Sequence, residues 1–252
     1  LVSCWAPKSE VFDANNKIQV TTSIIPLASI ASYIWWDIVQ VDSIVPAWVS
    51  PHNFELKPDN LVKIEKSDLL VYLNLDHIDW FLNKSLNGKN VLNTTEWMKF
   101  LNTSKHSHDE KNNNLNESHN ELEIDAHVWT SWVNAIEIAS KIQQRLSEIS
   151  PKNAVYFQQN LEFFKSELTE SLLWFQRDIK DKKQKEFVVF HDAYNYLFDE
   201  LSIDKNKKLV FNSNVSTQID PKQLKELIDE VKHHWVKTIF IEPQFLDPNL
   251  DK

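Results

Sequence analysis

Residues 150–180, SPKNAVYFQQNLEFFKSELTESLLWFQRDIK, are the stretch on which the fold turns. Ser150-Pro151 reads as an N-cap followed by a first helical residue. Apolar residues then recur at Ala154, Phe157, Leu161, Phe164, Leu168, Leu172, Phe175 and Ile179. Steps of three and four sustained over that distance specify one long amphipathic helix. At about 1.5 Å per residue, roughly 30 residues reach about 45 Å, enough to link two lobes. Periodicity alone fits an ordinary core helix equally well.

On both sides of this helix, strand-like and helix-like runs alternate. Before it come β-rich runs at 18–25 and 38–45, a helix opening at Pro26, and a loop holding Pro46, Pro51 and His52. A helix over 58–66, an apolar strand over 69–75, a short helix, a strand at 90–94 and a helix over 127–149 follow. After it, strands at 186–190, 208–211 and 236–241 are separated by helices at 193–201 and from Asp220-Pro221 onward. This rhythm predicts an α/β fold with parallel sheets covered by helices. Residues 102–123 break it: Asn, His, Ser, Asp and Glu dominate, and a loop of that length is usually functional or disordered.

Composition narrows the function and raises a separate question. A net charge of −9 argues against nucleic acid or an anionic membrane surface as partner. No run of 18 apolar residues exists to span a membrane. The chain holds one glycine, Gly88, against ten tryptophans, where average usage would give on the order of 17 glycines. Trp36 and Trp235 each follow a helical run, at the C′ position where the backbone commonly needs φ > 0. The pattern predicts that most of these Trp letters are UGA codons decoded as glycine in the source organism; a Trp-rich, Gly-poor protein is the alternative. Trp174, in mid-helix, fits recoding worst, because glycine there costs about 1 kcal/mol relative to Ala. Leu1-Val2-Ser3-Cys4 is similar to the tail of a bacterial lipoprotein signal peptide, with Cys4 as the lipidated residue and a polar tether through Lys17. Stable anchoring would take two or more acyl chains; a lone free or buried cysteine is the plainer alternative.

Three histidines stand where chemistry gathers. His52 lies in a loop after a strand, His127 near a helix start, and His191 directly after the strand Phe187-Val188-Val189-Phe190. Ligands of parallel α/β sheets collect outside the carboxyl ends of the strands, so a shared cleft can hold His52 and His191, with His127 able to join from a helix terminus. Imidazole suits Zn²⁺, which takes three or four ligands in tetrahedral array. The separations match no local zinc motif, and taken singly each histidine reads as a core or surface residue. His77 reads as a helix-start surface residue, and His233 and His234 as cations at a helix C-terminus.

Taken together the motifs are more specific. Val45-Pro46-Ala47-Trp48-Val49-Ser50-Pro51-His52-Asn53-Phe54-Glu55, with Trp48 read as Gly, resembles the first metal-ligand segment of the zinc and manganese substrate-binding proteins of ABC importers. Asp125-Ala126-His127-Val128-Trp129 resembles their second, which expects Trp129, and Phe187 to Tyr194 resembles the third. Ile239-Phe240-Ile241-Glu242-Pro243-Gln244-Phe245 is similar to a further recurrent stretch near the cleft. The similarity runs from Ile18 to the end, in order and spacing.

The resemblance implies two α/β lobes, each a parallel sheet with flanking helices, joined by one long rigid helix. The bounds would be a lipoprotein tether at 1–17, an N-terminal lobe at 18–149, the linking helix at 150–182 and a truncated C-terminal lobe at 183–252. It implies Zn²⁺ held between the lobes by His52, His127 and His191, with Mn²⁺ possible and a fourth ligand, an Asp, beyond Lys252. His191 resembles the zinc branch, where manganese members often carry Glu. Asp192 and Glu242 are candidates for orienting the histidines. The loop with His106, His108, Asp109, Glu110, Glu117 and His119 resembles an accessory metal-collecting loop; a plain disordered insertion is the alternative. The implied role is an extracytoplasmic, lipid-anchored monomer that catalyses nothing and delivers Zn²⁺ to an ABC permease and its ATPase. A manganese- or iron-binding member, a three-His zinc hydrolase and a lipid-anchored adhesin are the alternatives; no His-Glu-x-x-His motif supports hydrolysis.

Overall fold

The computed structural model describes residues 17–35, 38–82, 90–102, 124–180, 186–211 and 221–242. Its N-terminal half is built on a four-stranded sheet of β1 (Ile18–Thr22), β2 (Val39–Ser43), β3 (Leu69–Tyr72) and β4 (Val91–Asn93), in the order β2-β1-β3-β4. Every pairing is parallel. β3 is buried along its whole length, as expected of a parallel strand covered on both faces. Between the strands run α1 (Ile25–Trp35), α2 (Pro58–Lys66) and the single turn α3 (Asp76–Asp79). α2 has the bounds its sequence predicts: Pro58 fills the first helical position, and the Asn60 side chain accepts from the Lys57 N–H at 2.8 Å. β1 is shorter than predicted because Pro26 draws Ile25 into a helix, with Ala28 N–H donating to Ile24 C=O at 3.2 Å.

α4 (Trp132–Ile149) and α5 (Ala154–Lys180) close the N-terminal core, both packed against α1 and each other. α4 starts later than its periodicity suggests. Val128–Thr130 forms a 3₁₀ turn, and Ser131, extended, caps the helix by accepting from Asn134 N–H at 2.9 Å. α5 is the long helix, and only its first half belongs to this core. Phe157, Leu161 and Phe164 are buried, whereas Leu173, Trp174 and Phe175 stay largely exposed. Of the periodic apolar positions, Leu168 still packs against this core, Leu172 and Ile179 are half-buried, and Phe175 lies against Trp132 at the start of α4 with ring centroids 5.6 Å apart.

A second parallel sheet follows, of β5 (Phe187–Val189), β6 (Lys208–Val210) and β7 (Ile239–Phe240), in the order β6-β5-β7. α6 (Asn195–Glu200) and α7 (Pro221–His233) lie between its strands in sequence. The fold is thus α/β, two parallel-sheet lobes with a long helix between them. β7 has two residues rather than the predicted six; at its start the turn after α7 takes Val236, whose N–H donates to Val231 C=O at 3.0 Å.

That turn bears on the tryptophan excess. The bond from Val236 back to Val231 closes a Schellman motif, and its C′ residue is Trp235, at φ 54°. Trp97 sits at φ 69° in the turn closed by Met98 N–H to Thr95 C=O at 3.0 Å. A type II turn asks for glycine at that position. Both side chains are exposed, 90% for Trp97 and 81% for Trp235, so burial contributes little to holding them there. Trp48, also exposed, is not among the residues with positive φ, and Trp36 lies outside the described residues.

Candidate metal centre

His52, His127 and His191 come from three separate segments and meet between the sheets. Pro51 sets the first position of the 3₁₀ turn Pro51–Asn53, which carries His52 beyond the carboxyl end of β2. His127 ends an extended stretch before Val128–Thr130, and His191 follows β5 directly. The ring centroids lie 5.5 Å apart for His52 and His127, 5.3 Å for His52 and His191, and 4.6 Å for His127 and His191. Each offers one ring nitrogen, and the three nitrogens lie within 4.8 Å of one another. Bonds of about 2.0–2.1 Å to a tetrahedral Zn²⁺ would set nitrogens about 3.3–3.4 Å apart. The cluster therefore needs an adjustment of about 1.5 Å at most to hold that ion.

The backing of each ring decides which nitrogen faces inward. Asp125, fully buried, accepts from both the backbone N–H of His127 at 2.9 Å and its Nδ1 at 2.8 Å. Burial by itself would raise the Asp125 pKa, but the bonds and charge of His127 and the amide of Asn195 outweigh it and hold the carboxyl below its ordinary value. An ionised carboxylate only accepts, so Nδ1 of His127 carries a proton, and in the neutral ring Nε2 presents its lone pair. That Nε2 is buried with no hydrogen-bond partner, an arrangement that a ligand would complete. Trp129 packs against the same ring at 5.3 Å, edge to face.

Glu242 backs His191, with Oε1 3.3 Å from Nδ1, while its buried Oε2 has no hydrogen-bond partner. Its charge and burial together push the hydroxyl of Tyr194 up to about 12, burial being the larger cause. Asp192, a candidate for orienting a histidine, receives the Lys208 ammonium. His234 pairs with Glu186 at 3.0 Å and Glu230 at 3.1 Å, more than the helix dipole that its sequence suggests. Asn102 and Ile124 form an antiparallel bridge that brings the ends of the acidic, His-rich loop together. His106, His108 and His119, and also Cys4, lie outside the described residues, as does the side chain of His77.

Sequence reasoning missed the residues of α6 that reach the N-terminal sheet's side. Asn195 Nδ2 donates to Asp125 Oδ2 at 2.9 Å, and Tyr196 Oη donates to Asp125 C=O at 2.8 Å while accepting from Leu101 N–H at 3.0 Å. Glu200 caps α4, accepting from Ser131 Oγ, Trp132 N–H at 2.9 Å and Val133 N–H at 3.2 Å. Nothing local marks these partners, which stand far from their targets in sequence, 70 residues for Asn195 and Asp125 and 95 for Tyr196 and Leu101.

Two parallel sheets and a cluster of three histidines from three separate segments are the features set against known proteins. The chain belongs to the family of periplasmic component A proteins of zinc-uptake complexes, whose family model matches residues 20–251. Over 243 residues it is 26% identical to the high-affinity zinc uptake system protein ZnuA of Yersinia pestis, covering 90% of this chain and 76% of that protein. It is 27% identical over 246 residues to the zinc-binding lipoprotein AdcA of Streptococcus pneumoniae, covering 96% of this chain. The chain spans about half, 48%, of AdcA's length. A crystal structure of ZnuA superposes with a TM-score of 0.73 at 21% identity, over 90% of this chain and 92% of that one, which shows the shared fold.

Proposed function

We propose that this protein captures Zn²⁺ between its lobes, through His52, His127 and His191, and hands it to the permease of an ABC importer. The observation that carries this reading is the convergence of three imidazoles from distant segments, with the buried Nε2 of His127 free of any hydrogen bond. Three neutral imidazoles favour Zn²⁺ over Mn²⁺ in the affinity order of divalent metals. The names of the zinc-uptake and zinc-binding relatives agree with that choice. The lobes divide at 18–149 and 183–252, with 150–182 between them.

In this reading the protein is an extracytoplasmic monomer anchored through a lipid on Cys4. It acts by binding and release, catalyses nothing, and uses the loop at 102–123 to gather metal weakly. Capture requires neutral imidazoles, so protons compete with the metal and binding weakens in acid. Competition between Zn²⁺ and Mn²⁺ for the purified, metal-free protein tests the metal: Zn²⁺ should displace Mn²⁺ at near-equal concentration, and the reverse would move the protein to a manganese role. Hydrolysis of ester, peptide or phosphate substrates by the zinc-loaded protein would overturn the non-catalytic reading.

A further inference from the structure

Asn195 occupies an unusual place. It opens α6 in the C-terminal lobe, is buried, and places its amide between two charged groups. On one side, Lys208 Nζ donates to Asn195 Oδ1 at 2.6 Å and also to Asp192 Oδ1. On the other, Asn195 Nδ2 donates to Asp125 Oδ2 at 2.9 Å. These partners fix the orientation of the amide, because an ammonium only donates and an ionised carboxylate only accepts. The chain of bonds therefore runs from the Lys208 ammonium through the amide to the Asp125 carboxylate and on to Nδ1 of His127.

We propose that Asn195 is a positioning residue of the metal site: reaching across from the C-terminal lobe, its amide locks the Asp125 carboxylate and thereby fixes the His127 ring with Nε2 turned inward. This rests on the zinc-capture reading for its functional consequence, though the geometry stands without it. Asp125 Oδ1 takes both His127 bonds, which leaves Oδ2 as the oxygen through which the carboxylate's tilt can be fixed from the other side. Asn195 supplies that second hold. Lys208 strengthens it, since its side chain is 2% exposed and water screens its charge little. Tyr196, the next residue, anchors the same Asp125 through its backbone carbonyl and packs into the N-terminal core, so α6 carries the amide to a fixed place. The same Lys208 holds Asp192, the neighbour of His191, and so one ammonium reaches the surroundings of two candidate ligands.

Groups that orient metal-ligating histidines typically change affinity 10–100-fold when removed, roughly the scale expected here. The test uses the full chain with Asn195→Ala and the milder Asn195→Ser, each confirmed folded by circular dichroism. Two readouts apply: calorimetric zinc affinity, and the nitrogen chemical shifts of the His127 ring in metal-free protein. Wild type should show a single Nδ1–H tautomer. Both variants should mix the two tautomers and bind Zn²⁺ about tenfold or more weakly. In an Asp125→Ala background, Asn195→Ala should add nothing further, because the amide then has no carboxylate to hold. A tautomer unchanged by Asn195→Ala, unchanged affinity, or losses that add with Asp125→Ala would each overturn the proposal. Failure of wild type to bind Zn²⁺ would overturn the zinc reading instead, and the tautomer measurement would still decide the role of Asn195.

Discussion

Replacing Trp97 by Gly and, separately, by Ala isolates what the backbone at φ 69° requires. Both variants lose the same indole. At 90% exposure that ring buries roughly a tenth of its surface, or about 25 Å² and ~0.6 kcal/mol at about 25 cal/mol per Å². The two differ only in the Cβ, which in the left-handed region costs about 1–2 kcal/mol, against which glycine loses about 0.5–1 kcal/mol of chain entropy. Glycine should therefore exceed alanine in stability by about 0.5–1 kcal/mol, or about 1–4 °C in Tm for a chain of this size. The same order should hold at Trp235, at φ 54°. At Trp174, inside α5, it should reverse, with alanine ahead by about 1 kcal/mol. Thermal and urea melts of the six variants measure this directly. Alanine equal to or better than glycine at both 97 and 235 would refute the claim that these positions are built for glycine. A matching chemical test is the mass of peptides from the native protein: those spanning 95–98 and 234–237 should carry Gly, while Trp129, packed on His127, should remain Trp.

Three further outcomes follow from particular side chains. Burial raises the Asp79 carboxyl from 3.8 to about 6. The folded state thus holds a proton that the unfolded chain releases, and stability should fall as pH rises through 4 to 6 by up to about 3 kcal/mol. Asp79→Asn should flatten that segment of a urea-melt pH profile, and an unaltered slope would remove Asp79 from the account. Glu200→Ala should cost about 1–2 kcal/mol, because Trp132 and Val133 N–H at the start of α4 lose their acceptor; a cost under ~0.3 kcal/mol would mean water replaces it. Deleting residues 104–120 should abolish weak zinc equivalents and keep one tight site, whereas loss of the tight site would place the loop in the main centre.

The elements of this fold were legible wherever a local signal existed. Pro58 marks the start of α2, and the spacing from Phe157 to Phe164 marks the buried half of α5. Strand ends were less legible. Pro26 takes Ile25 from β1, and the Trp235 turn takes Val236 from β7, both decided by hydrogen bonds that alternation of apolar residues does not encode. At the site, His52, His127 and His191 could be named because each follows or precedes a recognisable motif. Their supports could not be read in the same way. Asp125 lies within a quoted motif, yet its partners Asn195 and Tyr196 are drawn from the other lobe by tertiary packing alone.

Whether three histidines hold one Zn²⁺ between the lobes is decided by titration calorimetry of the metal-free protein and its His127→Ala and His191→Ala variants. Circular dichroism would confirm that each variant keeps its two sheets. One tight site in wild type is expected, weakened at least about 100-fold in each variant, since losing a ligand should exceed the loss of a group that merely orients one. Undiminished zinc affinity in either folded variant would place the site elsewhere and contradict the account.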